Sequence, residues 1–223
     1  MPVGGELLPE RETLVILVRH GTTAWNRCSR YQGRLDIPIN EEGLVQSRAL
    51  SRVLSRISLA AVYTSPLSRA SDCARIVAAA HGLKPIYLPG IIEICHGDWE
   101  GMLLSEVEDK YTDLLTRWRT LPYTVRMPRG ESLVEVEERA WAALEKMIHD
   151  HPGGTVAAVT HDTPIRTILR RVLGLDQSHF WRIRLDNTGI NILGWRDDIF
   201  RVIVLNDTCH LGGWMQAGEQ KAL

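Results

Sequence analysis

The chain alternates short apolar runs with amphipathic segments, and this alternation limits the folds that it can adopt. Residues 14–18 and 155–160 are apolar runs of strand length, a pattern typical of strands that are buried on both faces. Residues 131–149 instead repeat their apolar positions every three or four residues, which predicts a long helix with one buried face. Strands that alternate with helices predict a three-layer α/β sandwich, with a mainly parallel central sheet flanked by helices.

Capping and turn signals predict the remaining elements. Asn40, followed by two glutamates, predicts the start of a helix whose inward positions are Leu50, Val53, Leu54 and Ile57. Ser65-Pro66 predicts an N-cap and first-turn proline for a helix that ends near His81, and Asp162-Thr163-Pro164 predicts a similar start. The other predicted elements are strands at 61–64 and 84–88, short helices within 105–118, and a hairpin of residues 189–195 and 200–205.

Length, charge and cysteine usage limit the partners and the compartment. With 223 residues we expect a flexible leader (1–13) and a single domain (14–223) with a C-terminal tail from about residue 206. A formal net charge of −1 provides no basic surface for nucleic acid or an anionic membrane. The chain lacks an apolar run of the ~20 residues that a membrane span needs, and its four cysteines form no C-x-x-C pair. These features predict a soluble cytoplasmic protein with free thiols.

Two histidines follow predicted strands and are candidates for a shared site. His20, preceded by Arg19, follows the strand at 14–18, and His161 follows the strand at 155–160. Ligands of such sheets collect at the carboxyl ends of the strands, so we expect the two imidazoles to lie together. Arg69 falls in the first turn of a predicted helix, where the helix dipole disfavours a cation. This position indicates either a bound anion such as phosphate or a salt bridge to a nearby carboxylate.

These residues belong to a longer series of motifs that resembles one enzyme family. The series, in chain order, is Leu17-Val18-Arg19-His20-Gly21-Thr22-Thr23-Ala24-Trp25-Asn26, Gln32-Gly33, Asp36-Ile37-Pro38, Gly43, Ser65-Pro66-Leu67-Ser68-Arg69-Ala70, Glu93 with Gly97-Asp98-Trp99-Glu100-Gly101, Gly130-Glu131-Ser132, and Thr160-His161. Together these motifs resemble the histidine phosphatase superfamily, the phosphoglycerate-mutase-like proteins, over roughly residues 14–210.

The resemblance implies a phosphomonoester hydrolase that forms a phosphohistidine intermediate without a metal or other cofactor. It implies that His20 is the nucleophile and that Glu93 is the general acid. Arg19, Arg69 and His161 would bind the phosphoryl oxygens, and Asn26, Gln32, Gly33 and Thr22 would contribute to the substrate pocket. Neutral imidazole is a competent nucleophile at pH 7, and phosphoryl transfer depends mainly on positioning and charge neutralisation.

Two positions depart from the family pattern. Thr22 stands where many members have glutamate, and Asp162-Thr163 replaces glycines that often follow the second histidine. Asp162 would either place a carboxylate in the phosphate pocket or cap the helix that contains Pro164, and we favour the cap. Glu93 and His96 could suggest a metal pair, but further ligands at regular spacing are lacking, so we predict no metal site.

The spacing of the motifs favours hydrolysis, and two further histidines suggest a substrate. Only residues 94–130 separate Glu93 from Glu131, whereas mutases of the family carry a longer insertion that keeps water from the phosphohistidine. The segments around His96 and His210 most resemble metal-independent phosphoserine phosphatases. Both histidines would then help to bind the carboxylate or amine of L-phosphoserine.

Other readings remain open at this point. They are a phosphoglycerate mutase, a phosphatase for sugar phosphate, fructose 2,6-bisphosphate or α-ribazole phosphate, and a non-catalytic binding scaffold. The tryptophans, including Trp118, Trp141 and Trp181, are interpreted as core residues or as contacts of a homodimer rather than as ligand-binding groups.

Overall fold

The computed structural model describes residues 12–213, which form one mixed sheet between helices. The strands are β1 (Thr13–Arg19), β2 (Ala61–Thr64), β3 (Ile86–Tyr87), β4 (Thr155–Thr160), β5 (Ile190–Arg196) and β6 (Ile199–Asp207). Their spatial order is β3-β2-β4-β1-β5-β6. The first four are parallel to one another, whereas β5 is antiparallel to both β1 and β6. The predicted three-layer α/β class with a mainly parallel sheet is confirmed.

The helices cover both faces of the sheet, so each face has its own core. They are α1 (Ala24–Arg27), α2 (Glu41–Leu54), α3 (Ser68–Ala79), α4 (Leu104–Lys110), α5 (Thr112–Thr120), α6 (Leu133–Asp150) and α7 (Asp162–Val172). Along β1, Val15 and Leu17 pack with α6 and α7, while Ile16 and Val18 pack with α2 and α3. Alternate side chains of a strand point to opposite faces. This two-sided burial explains why the strand sequence is continuously apolar.

A third apolar cluster lies beside the sheet and is rich in aromatic residues. It joins α4, α5 and the start of α6 to the segment around Phe180. Trp118 is fully buried there, as predicted for a core tryptophan, and the carbonyl of Trp118 accepts a hydrogen bond from Trp181 Nε1 at 2.8 Å. The weak pattern at 105–118 thus corresponds to two short helices that pack through this cluster.

Several predicted boundaries and inward positions are wrong. Val53 and Ile57 are exposed, because α2 ends at Leu54 and only Leu50 and Leu54 of the four predicted inward positions are buried. The second predicted helix start is also displaced: α3 begins at Ser68 with Leu67 as its N-cap residue, so Ser65 does not cap it.

The two ends of the chain also differ from the prediction. Thr13, expected in a flexible leader, is the buried first residue of β1, and its hydroxyl accepts a hydrogen bond from Gly153 N at 2.8 Å. At the other end, β6 continues to Asp207, so the predicted tail from 206 starts inside a strand. The rest of the predicted leader (1–11) and residues 214–223 lie outside the described residues.

We expect the cap of α2 to be a measurable contributor to stability. Asn40 accepts a hydrogen bond from Gly43 N at 2.9 Å, as the sequence predicted for a helix start. Asn40→Ala should lower the free energy of unfolding by about 1 kcal/mol, because an unpaired amide is left at the helix end. Asn40→Gly should lower the free energy of unfolding by only about a few tenths of a kcal/mol, because glycine is tolerated at the N-cap position. Urea denaturation measures both, and equal losses would show that the side-chain cap is not the cause.

Candidate active site

The carboxyl ends of β1 and β4 bring His20 and His161 together. The strands pair in parallel register, with Arg19 opposite Thr160, and His20 N donates to Thr160 O at 2.9 Å. The two imidazole centroids are 5.1 Å apart, and both rings are buried. The structure therefore places the two histidines side by side, with His20 lining a cavity of about 280 Å³.

The surroundings of His20 determine both its protonation state and its tautomer. Burial, followed by the positive charges of Arg69 and Arg19, holds the pKa of His20 well below its ordinary value, so the imidazole is neutral at pH 7. His20 Nδ1 lies 2.7 Å from the Gly21 carbonyl oxygen. A carbonyl can only accept, so Nδ1 carries the proton and Nε2 keeps a free lone pair. His20 is thus set up as a nitrogen nucleophile.

Arg69 is buried without a carboxylate partner. Its guanidinium donates to the carbonyl oxygens of Leu35 at 2.9 Å and Gly33 at 2.6 Å, and among the ion pairs of the described residues none includes Arg69. Burial lowers the pKa of Arg69 to about 10, which leaves the guanidinium protonated at pH 7. Since carbonyl oxygens carry no net charge, the positive charge of Arg69 remains available to an anion in the cavity.

Arg19 supplies a second cation at the same end of the sheet. Its Nη1 donates to Leu185 O at 2.7 Å and lies 3.6 Å from Asp162 Oδ1. The Nε atoms of Arg19 and Arg69 are both buried and have no hydrogen-bond partner within residues 12–213. Buried donors of this kind normally have a partner, and phosphoryl oxygens suit guanidinium groups.

Glu93 is the buried carboxyl group of the cavity. It follows a short 3-10 turn (Pro89–Ile91), and its Oε1 accepts from Ile94 N at 2.9 Å. Burial is the main cause of a raised pKa of Glu93, and the negative charge of Asp162 raises it further. A carboxyl group with a raised pKa retains its proton more readily and is suited to act as an acid.

Asp162 does not cap α7, contrary to the prediction from the sequence. It is the first residue of that helix, the N-cap position belongs to His161, and the Asp162 carboxylate lies in the cavity wall. Both Asp162 oxygens accept hydrogen bonds from Arg166 Nη2 at 2.9 Å. Asp162 and Arg166 are about one helical turn apart in the sequence, so this pairing holds the carboxylate along the helix. Asp162 therefore contributes a negative charge beside Arg19.

Arg166 connects this carboxylate to the opposite wall of the cavity. The guanidinium is buried, lies 5.1 Å from the Trp181 ring, and donates to the carbonyl oxygens of Phe180 and Ile183. Trp181 packs against the aromatic cluster, in agreement with its interpretation from the sequence as a core residue, and it also lines the cavity. The other lining residues that sequence reasoning missed are Arg30, Tyr31, Thr163, Arg166, Arg182, Ile183 and Arg184. Only the Asp162–Arg166 spacing offered a signal for any of them.

The remaining predicted substrate-binding residues divide into two groups. Asn26, Gln32, Gly33 and His96 line the cavity, where burial lowers the pKa of His96 to about 3. Thr22 and His210 do not. The amide and hydroxyl of Thr22 both donate to Gln46 Oε1, and His210 Nε2 lies 3.1 Å from Thr188 Oγ1. The short turn that carries His210 contacts α2, so the structure brings neither Thr22 nor His210 into the lining of the cavity.

Comparison with known proteins assigns the family. Residues 15–208 match the model of the histidine phosphatase superfamily, branch 1. The chain belongs to this superfamily. The structure brings His20, Arg69 and Glu93, which belong to three of the family motifs, into the lining of one cavity.

Relatives within the histidine phosphatase superfamily include named phosphoserine phosphatases. Phosphoserine phosphatase 1 of Hydrogenobacter thermophilus is 40% identical over 89% of this chain and 94% of that protein. The metal-independent phosphoserine phosphatase of Arabidopsis thaliana is 30% identical over 92% of this chain and 87% of that protein. Among solved structures, YhfR of Bacillus stearothermophilus has a TM-score of 0.85 and 32% identity, covering 89% and 99% of the two chains.

Residues 12–213 contain neither a cluster of metal ligands nor a membrane-spanning helix. No group of three or more histidine, cysteine, aspartate or glutamate side chains is arranged there to hold a metal ion. No helix in this part of the chain combines the length and the apolar character needed to cross a bilayer.

The pKa directions of His20 and Glu93 predict a bell-shaped pH profile of kcat/KM. A nucleophilic His20 must be neutral, so activity should fall as pH drops through a pKa below the ordinary histidine value. A proton-donating Glu93 must be protonated, so activity should also fall as pH rises through a pKa above the ordinary glutamate value. In Glu93→Gln the alkaline limb should disappear, after allowance for ionisation of the substrate phosphate. An unchanged alkaline limb would exclude Glu93 as its source.

Proposed function

We propose that this chain hydrolyses small phosphate monoesters, preferring L-phosphoserine, through a covalent phosphohistidine on His20. The observation that carries the proposal is the state of His20, a buried, neutral imidazole whose Nε2 lone pair is free. Beside it lie two guanidinium groups whose positive charges are not fully neutralised by carboxylates. Such a nucleophile can attack phosphorus while the arginines neutralise the charge of the phosphoryl oxygens.

In the first step the His20 Nε2–phosphorus bond forms as the bond from phosphorus to the ester oxygen breaks. Arg19 and Arg69 neutralise charge on the transferring group, and Glu93 donates its proton to the departing oxygen. The Ser65 hydroxyl, 2.7 Å from His161 Nε2, can donate to that nitrogen and leave the proton on His161 Nδ1. His161 Nδ1 has no partner among the described residues and would donate to a phosphoryl oxygen.

In the second step water replaces His20 on phosphorus. The Glu93 carboxylate takes the proton of the attacking water, which restores the acid and releases inorganic phosphate and neutral His20. The charges of the two arginines stabilise the phosphoryl group in both steps, which is the contribution that a divalent cation makes in other phosphatases. This account supports metal-independent hydrolysis.

The preference for L-phosphoserine rests on the relatives and on the charge of the cavity. Two relatives that match most of the chain are named phosphoserine phosphatases, one of them metal-independent. Beyond Arg19 and Arg69, the cavity lining includes Arg30 and Arg182, and neither of these forms an ion pair with a described carboxylate, whereas Arg184 pairs with Asp186. The guanidinium groups of Arg30 and Arg182 favour a substrate that has a carboxylate besides its phosphate.

The cytoplasmic localisation and the homodimer that the sequence suggested remain predictions. Trp141 lies at the edge of the core that α6 and α7 share, with the Arg171 guanidinium 4.0 Å from its ring centroid. Size-exclusion chromatography with light scattering measures the oligomeric state directly.

A phosphate-release panel tests the substrate preference. With chelator present throughout, L-phosphoserine should give the highest kcat/KM among phosphoserine, O-phosphoethanolamine, phosphoglycerates, sugar phosphates, fructose 2,6-bisphosphate and α-ribazole phosphate. O-phosphoethanolamine is the matched control, because it lacks only the carboxylate and so loses a charge-assisted hydrogen bond that is worth ~1.5–3 kcal/mol. Equal kcat/KM values for L-phosphoserine and O-phosphoethanolamine would show that the protein does not recognise the carboxylate. Activity that needs an added divalent ion would exclude metal independence.

Replacement of His20 tests the mechanism. His20→Ala should lower kcat by several powers of ten while leaving the melting temperature nearly unchanged, because the imidazole supplies the nucleophile. His149→Ala, an exposed histidine on α6, is the control and should keep full activity. The wild-type protein should trap an acid-labile, alkali-stable phosphoenzyme, and His20→Ala should not. An acid-stable phosphoenzyme would indicate a serine or threonine ester instead.

A further inference from the structure

Glu131 and Arg139 form an ion pair next to the backbone that carries Glu93. Arg139 Nε lies 2.8 Å from Glu131 Oε1, and Arg139 Nη2 lies 2.9 Å from Glu131 Oε2. The Arg139 side chain is only 19% exposed and the Glu131 side chain only 13%. Two parallel bonds of this kind fix the planes of both groups, so the pair provides a rigid support.

The remaining donors of Arg139 all bind the segment that leads into Glu93. Nη1 donates to Gly90 O at 2.8 Å and to Ile92 O at 2.5 Å, and Nη2 donates to Glu93 O at 3.1 Å. One guanidinium therefore holds three carbonyl oxygens on the N-terminal side of the Glu93 side chain and at Glu93 itself.

Glu131 holds the chain on the other side of Glu93. Its Oε2 accepts from Cys95 N at 3.3 Å, and its own amide donates to Cys95 O at 2.8 Å. Arg34 completes the arrangement, with Nη2 3.1 Å from Glu131 Oε2 and Nε 3.4 Å from Glu93 O. We refer to Arg34, Glu131 and Arg139 as the Glu93 clamp.

Glu93 needs such support because no helix or strand holds it. It lies between the 3-10 turn that ends at Ile91 and another that starts at Gly97. A proton donor must lie within hydrogen-bond distance of the leaving oxygen, and a displacement of about 1 Å can cost roughly 100-fold in rate. The position of the carboxyl therefore depends on side chains that fix the surrounding backbone.

We propose that the Glu93 clamp is a positioning device that holds the Glu93 carboxyl against the leaving oxygen without touching the substrate. Its three residues are absent from the cavity lining, so they act through Glu93. The inference rests on the proposed role of Glu93 as the general acid. It assigns a function to Glu131 and Arg139 that differs from stabilising the fold alone.

The leaving group separates positioning from stability. The alkoxide that leaves phosphoserine is strongly basic and needs a proton in the transition state, whereas p-nitrophenolate is a weak base that leaves without one. A misplaced acid therefore slows phosphoserine selectively. Damage to the fold or to the phosphate site slows both substrates.

The deciding experiment compares Glu131→Gln with the wild-type protein. We expect kcat/KM for phosphoserine to fall roughly 10- to 100-fold, with little change for p-nitrophenyl phosphate. The inhibition constant of inorganic phosphate should not change, because Arg19 and Arg69 remain in place. Equal losses on the two substrates, or no loss on either, would overturn the proposal.

Glu137→Gln is the matched control for breaking a similar ion pair. Glu137 lies on α6, which also carries Arg139, pairs with Arg170 at 2.5 Å, and is comparably shielded, but it contacts Tyr123 rather than the Glu93 segment. It should lower the melting temperature about as much as Glu131→Gln without any leaving-group dependence. A selective loss in Glu137→Gln would show that the selectivity reflects general instability and would also overturn the proposal.

Two further variants keep the test decisive. Arg34→Gln changes a side chain that is 40% exposed, so it should fold even if Glu131→Gln does not, and it should give a smaller loss that is again selective for phosphoserine. Glu93→Gln should show the largest selective loss. If Glu93→Gln were not selective, the proposed role of Glu93 would be wrong, and the clamp proposal would fall for that reason rather than through its own variants.

Discussion

The parallel pairing of β1 with β4 is the constraint on which the site depends. Arg19 is in register with Thr160, so the next residues, His20 and His161, leave the sheet at the same height. A shift of one residue would turn Val15 and Leu17 away from their core and separate the two imidazoles. The apolar cores on both faces thus fix the register, and the register fixes the distance between the histidines.

The buried positive charges at this edge of the sheet favour the binding of an anion. Removing a guanidinium from water is costly unless hydrogen bonds replace the lost hydration. For Arg69 these bonds come from the neutral carbonyl oxygens of Gly33 and Leu35, which accept from Nη2 and Nη1 but leave Nε without a described partner and the charge without neutralisation. The same charge helps to keep His20 unprotonated. One arrangement therefore prepares both the phosphate site and the nucleophile.

Two arginines that were not predicted to bind phosphate organise the walls of the cavity. Arg166 binds Asp162 and the carbonyl oxygens near Trp181, and Arg139 binds Glu131 and the carbonyl oxygens near Glu93. In each case a carboxylate orients the guanidinium, and the other donors hold an irregular backbone segment. Loops that lack ladder hydrogen bonds need such partners for their buried polar groups. The precision of the cavity thus depends also on Arg139 and Arg166, which lie outside the short motifs.

Local sequence patterns were enough to predict the layers of the fold and the chemical groups of the site. Continuous apolar runs and helical spacing predicted the sandwich, and strand ends predicted the meeting of His20 and His161, because these are local patterns with a fixed geometry. Contacts between residues that are far apart in the sequence could be seen only in the folded chain. Thr22 binds Gln46, His210 lies beside Thr188, and Trp181 reaches the cavity. Each of these outcomes is a competition among hydrogen-bond and packing partners that fold from other parts of the chain, which no local pattern records.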